Sequence, residues 1–125
     1  MPRVLYIEDN ADNRMLVRRI VMASDIDVEE ADNAMDGIEL AKNTPPPDLI
    51  LMDISMPGMD GLSATERLRE MPTLDAVPII ALTANVREGD REMTLQAGCD
   101  GYIGKPIDVD KFPEQVMEYM RMGRK

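Results

Sequence analysis

Four apolar runs in this sequence end in residues that can do chemistry. Val4-Leu5-Tyr6-Ile7 leads into Glu8-Asp9, Leu49-Ile50-Leu51-Met52 into Asp53, Ile79-Ile80-Ala81-Leu82 into Thr83, and a shorter run through Tyr102-Ile103 into Lys105-Pro106. Short apolar runs bounded by turn residues read as strands buried on both faces, as in a parallel sheet covered by helices. Their last residues then share the carboxyl edge of the sheet, where ligands gather in open α/β folds. Glu8, Asp9 and Asp53 brought together there would repel one another, and protonation or a bound cation resolves such repulsion. Oxygen donors alone select a hard ion, Mg²⁺ before Ca²⁺, because so small a set leaves positions for waters and a phosphate. Thr83 adds a hydroxyl that can donate to a phosphate or carboxylate oxygen. Lys105 adds a point charge for an anion, on a loop constrained by Pro106 and suited to a cis bond. An isolated Asp53 would more simply cap the turn that follows it. Its company at the same edge makes it the first candidate.

Composition narrows the classes. The chain has 125 residues, one domain's worth, and its balance of 44% hydrophobic to 30% charged residues is that of a globular protein. With no histidine and one cysteine, a His-based metal site, an imidazole base and an internal disulfide are all excluded. Cys99 reads as a small packed residue. A net charge of −10 argues against direct nucleic-acid binding and suits a protein that collects divalent cations. No apolar run is long enough to span a membrane and the start lacks signal-peptide architecture, so the expected location is cytoplasmic.

The segments between the strands must position these residues. From Asp12 onward, Asn13, Leu16, Val17, Ile20 and Val21 fall on one face at helical spacing, which predicts the core face of a first helix. Met15, Arg18, Arg19 and Met22 are left outside, where two adaptable methionines beside two arginines form a candidate docking patch for a partner. Asp25 to Ala31 alternates as an edge strand does. Ala34 to Lys42 reads as a short helix on Met35, Ile38, Leu40 and Ala41, stopped by Pro45-Pro46-Pro47. After Asp53, the turn Met56-Pro57-Gly58-Met59-Asp60-Gly61 leads into a helix from Leu62 to Glu70. The fourth strand is expected over Val77 to Leu82, with Pro78 at its tolerant start. Val86 to Ala97 predicts a charged helix weakly held by Val86, Met93, Leu95 and Ala97. A last helix, capped near Asp110, should run to about Met122 and bury Phe112, Val116, Tyr119 and Met120.

Five strand and helix alternations with these ends resemble the receiver domain of two-component response regulators, over nearly the whole chain from Val4 to about Met122. The resemblance rests on Glu8-Asp9, on Asp53 with Met56-Pro57-Gly58-Met59-Asp60-Gly61, on Thr83-Ala84 and on Lys105-Pro106 in combination. It implies one domain over 1–125 with an α/β, flavodoxin-like doubly wound sheet: five parallel strands in the order 2-1-3-4-5, flanked by five helices. It also implies that Asp53 takes a phosphoryl group from a phosphohistidine of a sensor histidine kinase or histidine phosphotransfer protein, giving an aspartyl phosphate. Asp9 and Asp53 would hold Mg²⁺ with the backbone carbonyl of Ser55, and Glu8 would act through water. Lys105 and Thr83 would contact the phosphoryl oxygens. Tyr102 matches the family's switch aromatic, which turns inward when Thr83 is drawn to the phosphate. Ser55 and Asn85, each two positions beyond a strand-end residue of the site, are expected to flank an attacking water and set the phosphate's lifetime.

Two other classes share parts of this pattern. A flavodoxin-type FMN carrier needs a phosphate-binding loop where this chain has Glu8-Asp9. A haloacid-dehalogenase-like phosphatase needs a second acid where this chain has Ser55. With no effector after Lys125, the expected output is through protein contacts on the face of the fourth helix, fifth strand and fifth helix. The Glu8-Asp9-Asn10 start and the stretch from Gly98 to Ile107 resemble both stand-alone cell-cycle-type regulators and receivers of hybrid histidine kinases, so excision from such a kinase is the alternative origin.

Overall fold

The apolar runs form five parallel strands: β1 (Arg3–Ile7), β2 (Asp27–Ala31), β3 (Leu49–Asp53), β4 (Ile79–Thr83) and β5 (Gly101–Gly104). The computed structural model describes residues 2–43, 45–54, 61–83 and 88–124. The strands lie in the order β2-β1-β3-β4-β5, as expected for the doubly wound class. β3 and β4 are buried along their whole length, which is why both read as continuous apolar runs. Register aligns the chemical ends: Ile7 lies opposite Met52, Asp53 opposite Leu82, and Thr83 opposite Gly104.

Helices α1 (Ala11–Met22), α2 (Ala34–Ala41), α3 (Gly61–Arg69), α4 (Glu88–Ala97) and α5 (Phe112–Met122) follow the strands in turn. Asn10 caps α1 by accepting from the Asn13 amide at 2.9 Å, and Asn33 caps α2 by accepting from the Asp36 amide at 2.8 Å. The pleat of the sheet sorts the core into two layers. Leu5, Ile7, Ile50, Met52, Ile79 and Ala81 pack with Ile38 and Leu68 from α2 and α3. On the other side Val4, Tyr6, Leu51 and Leu82 pack with Val17, Ile20 and Val21 from α1 and Phe112 and Val116 from α5.

Several sequence expectations are corrected in detail. β2 begins at Asp27, because Asp25 takes a positive φ of 60° in the turn before it. β4 runs from Ile79 to Thr83, with Val77 and Pro78 still in the lead-in. The cap of α5 is Lys111 rather than Asp110, and Tyr119 and Met120 are only half-buried. Leu16 and Met35 are exposed although both were placed on core faces. Helical spacing gives the direction of a face but not its width, and Ala34, Gly37, Ile38 and Ala41 already fill the contact of α2. Among the described side chains of α4, Met93 and Leu95 are exposed and the buried one is Thr94.

At the edge opposite the chemical ends, Asp100 ties several elements together. One of its oxygens receives Arg69 at 2.6 Å and the Ile79 amide at 2.9 Å, and the other receives Arg124 at 3.1 Å. Arg69 also donates to the carbonyls of Gly98 and Leu74. Removing one partner of a sheltered ion pair strands the other charge. Asp100→Ala should therefore lower stability by about 2 kcal/mol, a figure reduced from the fully buried case because both partners keep some solvent. Urea unfolding checks this, and an unchanged midpoint would show the network to be idle.

Candidate functional site

Strand alternation continues through the carboxyl ends and decides which side each side chain takes. Glu8 lies two residues after Tyr6, Asp53 two after Leu51 and Lys105 two after Ile103, so all three lean toward the layer of α1 and α5. There Lys105 Nζ lies 3.2 Å from Glu8 Oε1 and 3.3 Å from Asp53 Oδ1. Glu8 is 1% exposed and Asp53 2%, whereas Asp9 faces solvent. Carboxylate oxygens of Glu8, Asp9 and Asp53 lie within 4.8 Å of one another, close enough to share one cation. The expectation that these acids meet at one edge holds.

Electrostatics follows from the crowding. Burial, and then the hydrogen bond and charge of Asp53, push the Glu8 carboxyl up to about 7 against the lowering pull of Lys105. One ammonium serving two buried carboxylates leaves an excess of negative charge, which is the environment a small divalent cation relieves. The Tyr6 phenol, fully buried, is driven above its ordinary value first by burial and then by Glu8. Cys99 is buried and its thiol is pushed up to about 11 by burial, which suits the packing role read from the sequence and not that of a nucleophile.

Thr83 is 4% exposed at the end of β4, and its carbonyl accepts from the Lys105 amide at 2.7 Å. By parity with Ile79 and Ala81 its side chain leans to the opposite layer from Glu8 and Asp53, the side on which Tyr102 packs. The Lys105-Pro106 peptide is cis. Ser55 and Asn85, the two residues expected to flank an attacking water, lie outside the described residues.

The outer face of α1 is exposed as read. Met15 is 45% exposed and Met22 54%, with Arg18 and Arg19 exposed between them. Arg18 is also paired with both oxygens of Glu30 on β2, its terminal nitrogen at 2.9 Å. That pairing depends on β1 and β2 being neighbours and has no signature within the helix itself.

Other contacts at the site were not singled out in the sequence. Tyr6 donates to Glu8 Oε1 at 3.0 Å and Asn13 donates to the same atom at 3.3 Å. Arg14 donates to the Glu8 carbonyl at 2.8 Å, bracing the turn that carries the acids. Arg91 of α4 stands over the Tyr102 ring, 4.8 Å from its centroid, a cation–π contact between helix and strand. Strand alternation was a usable signal for Tyr6, two residues before Glu8 on one face. For Arg91 and Tyr102, separated by a helix end and a turn, no local pattern exists.

Comparison with known proteins places this arrangement. The model of the response regulator receiver domain matches residues 4–117. The chain belongs to the response regulator receiver family. This receiver is 40% identical over 121 residues to the polar-differentiation response regulator DivK of Brucella anthropi, covering 96% of this chain and 98% of that one. The DivK of Brucella ovis is 38% identical over 117 residues, 94% of each chain. Among solved structures, the receiver domain of sensor histidine kinase PA1611 from Pseudomonas aeruginosa is 32% identical with a TM-score of 0.87, over 96% of this receiver and 98% of that chain. That structure has a magnesium ion coordinated in its active site cleft. The chemotaxis protein CheY4 of Vibrio cholerae, 22% identical over 94% of this receiver and 98% of its own chain with a TM-score of 0.89, shares the fold. No helix among the described residues of this receiver is long and apolar enough to cross a membrane.

Proposed function

We propose that this receiver takes a phosphoryl group from a phosphohistidine onto Asp53 and passes the signal on through protein contacts. The observation that carries the reading is the position of Asp53 at the end of the central strand, beside Glu8 and Asp9 and within 3.3 Å of the Lys105 ammonium. Asp53 supplies a carboxylate oxygen to phosphorus. The new P–O bond forms as the P–N bond of the phosphohistidine breaks, and the imidazole leaves with the electron pair. Lys105, already between two carboxylates, pairs one phosphoryl oxygen, and the Thr83 hydroxyl donates to another. Mg²⁺ held by Asp9, Asp53 and the Ser55 carbonyl, with Glu8 acting through water, would neutralise charge on the transferring group. The all-oxygen donor set and the raised Glu8 carboxyl fit that ion.

Signal entry is assigned to the outer face of α1 through Met15, Arg18, Arg19 and Met22, with Arg18 held in place by Glu30 of β2. The donor is a sensor histidine kinase or a histidine phosphotransfer protein. Exit is assigned to the face of α4, β5 and α5, where a downstream protein docks. Tyr102 is half-buried there and touches α4 through Arg91, so movement of Thr83 toward the phosphate can be felt by a helix with little apolar anchorage. Ser55 and Asn85 set how long the aspartyl phosphate lasts. The likeness to the DivK response regulators, over 98% of the length of the Brucella anthropi protein, supports the reading as a stand-alone regulator. The likeness to the PA1611 receiver supports the second reading, a receiver of a hybrid kinase.

Metal removal tests the chemistry directly. Acetyl phosphate with Mg²⁺ should label the chain stoichiometrically, and excess chelator should reduce labelling to background. Undiminished labelling in chelator would overturn the metal-assisted reading.

A further inference from the structure

Glu30 stands where the alternation of β2 calls for an apolar residue. It lies two residues after Val28, which packs in the layer of α1 and α5, and opposite Tyr6 of β1 in the sheet register. At that place it meets two arginines of α1. Both of its oxygens accept from Arg18, one from Nε and the other from Nη2 at 2.9 Å, and Arg14 Nε lies 3.7 Å from Oε1. Arg14 carries the contact onward, since its Nη1 donates to the Glu8 carbonyl at 2.8 Å. An isolated surface ion pair contributes little, but a forked arginine–carboxylate pair within a network is the exception, because the planar guanidinium is fixed in direction as well as in place. The Glu30 side chain is 17% exposed and that of Arg18 48%, so the anchor is sheltered while the cation it holds reaches solvent.

We infer that Glu30 is a positioning residue for recognition of the histidine donor, holding Arg18 at a fixed place on the outer face of α1 and tying it through Arg14 to the turn that carries the acids. This role rests on the reading of that face as the entry surface and adds to it a residue from a different element. The fork on Glu30 engages one edge of the Arg18 guanidinium and leaves its other N–H groups for a carboxylate or backbone carbonyl of the donor protein. A long side chain that is ordered before docking has less freedom to lose on docking. Because Arg14 grips the Glu8 carbonyl, a partner bound at Arg18 is held in register with Glu8, Asp9 and Asp53 and not with α1 alone.

The test uses the autophosphorylated histidine kinase or phosphotransfer protein that labels wild type fastest in a phosphotransfer profile, with acetyl phosphate as second donor and circular dichroism as the check on folding. Glu30→Ala should slow labelling by the histidine donor about fivefold relative to labelling by acetyl phosphate, through a raised KM for the receiver with kcat little changed. Acting through Arg18, it should add nothing on an Arg18→Ala background, where a merely structural role would still show its loss. Should Glu30→Ala fail to fold, Glu30→Gln keeps the shape, loses the charged fork and carries the same comparison. Equal losses with both donors, or a Glu30→Ala effect that persists without the Arg18 guanidinium, overturn the inference. Variants that match a wild type labelled by its histidine donor overturn it too and leave the entry surface standing. A wild type labelled by no histidine donor overturns both.

Discussion

Asp53→Asn should accept no phosphoryl group, from acetyl phosphate or from a phosphorylated kinase, while remaining folded. The amide lacks the anionic oxygen that must bond to phosphorus, and it removes one of the negative charges that would hold a cation at the site. Among the described residues no comparable acid stands ready to replace it. Glu8 is shielded by Tyr6, Asn13 and Lys105, and Asp9 lies out in solvent at the start of the turn. Folding should survive because Asn is nearly isosteric and relieves a buried like-charge contact with Glu8. Intact mass after incubation with donor and Mg²⁺ reads the outcome. A variant that still gains one phosphoryl group per chain would mean that a different residue is the acceptor.

The second large effect is on stability in the absence of metal. Glu8 has an ordinary value of 4.5 and is pushed up to about 7 in the folded chain, so between those limits the folded state binds more protons than the unfolded one. Its contribution is fully present below pH 4.5 and is lost as pH rises through 7. At 1.36 kcal/mol per pH unit the loss amounts to roughly 3 kcal/mol. Glu8→Gln cannot ionise and should escape it. In chelator, the variant should be more stable than wild type by about 3 kcal/mol at pH 8, with the gap narrowing to near zero at pH 4.5. Saturating Mg²⁺ should restore much of the wild type's deficit at pH 8 and do little for the variant. Urea unfolding across this range measures the gap, and a difference independent of pH would show that Glu8 ionisation does not control it.

Much of this site could be read before any coordinates, for a physical reason. Strands buried on both faces must be apolar throughout, so Glu8, Asp53 and Thr83 stand out as abrupt breaks, and parallel pairing puts such breaks at one edge. What could not be read depends on neighbours that only the tertiary structure supplies. The pairing of Arg18 with Glu30 is one case, because that partner lies on another element. α4 was expected to be held weakly by Val86, Met93, Leu95 and Ala97, yet Met93 and Leu95 are exposed and among its described side chains the buried one is Thr94. With so few apolar residues, that helix carries too weak a pattern to set its own rotation. Leu16 marks the same limit on α1, where Val17, Ile20 and Val21 suffice to fill the contact.

The pleat also divides the carboxyl edge. Glu8, Asp53 and Lys105 belong to the side of α1 and α5, while Thr83 and Tyr102 belong to the side of α2, α3 and α4. A core substitution under α1 or α5 therefore acts on the acidic cluster, and one under α2 or α3 acts on the threonine and tyrosine, so each set can be changed through its own layer.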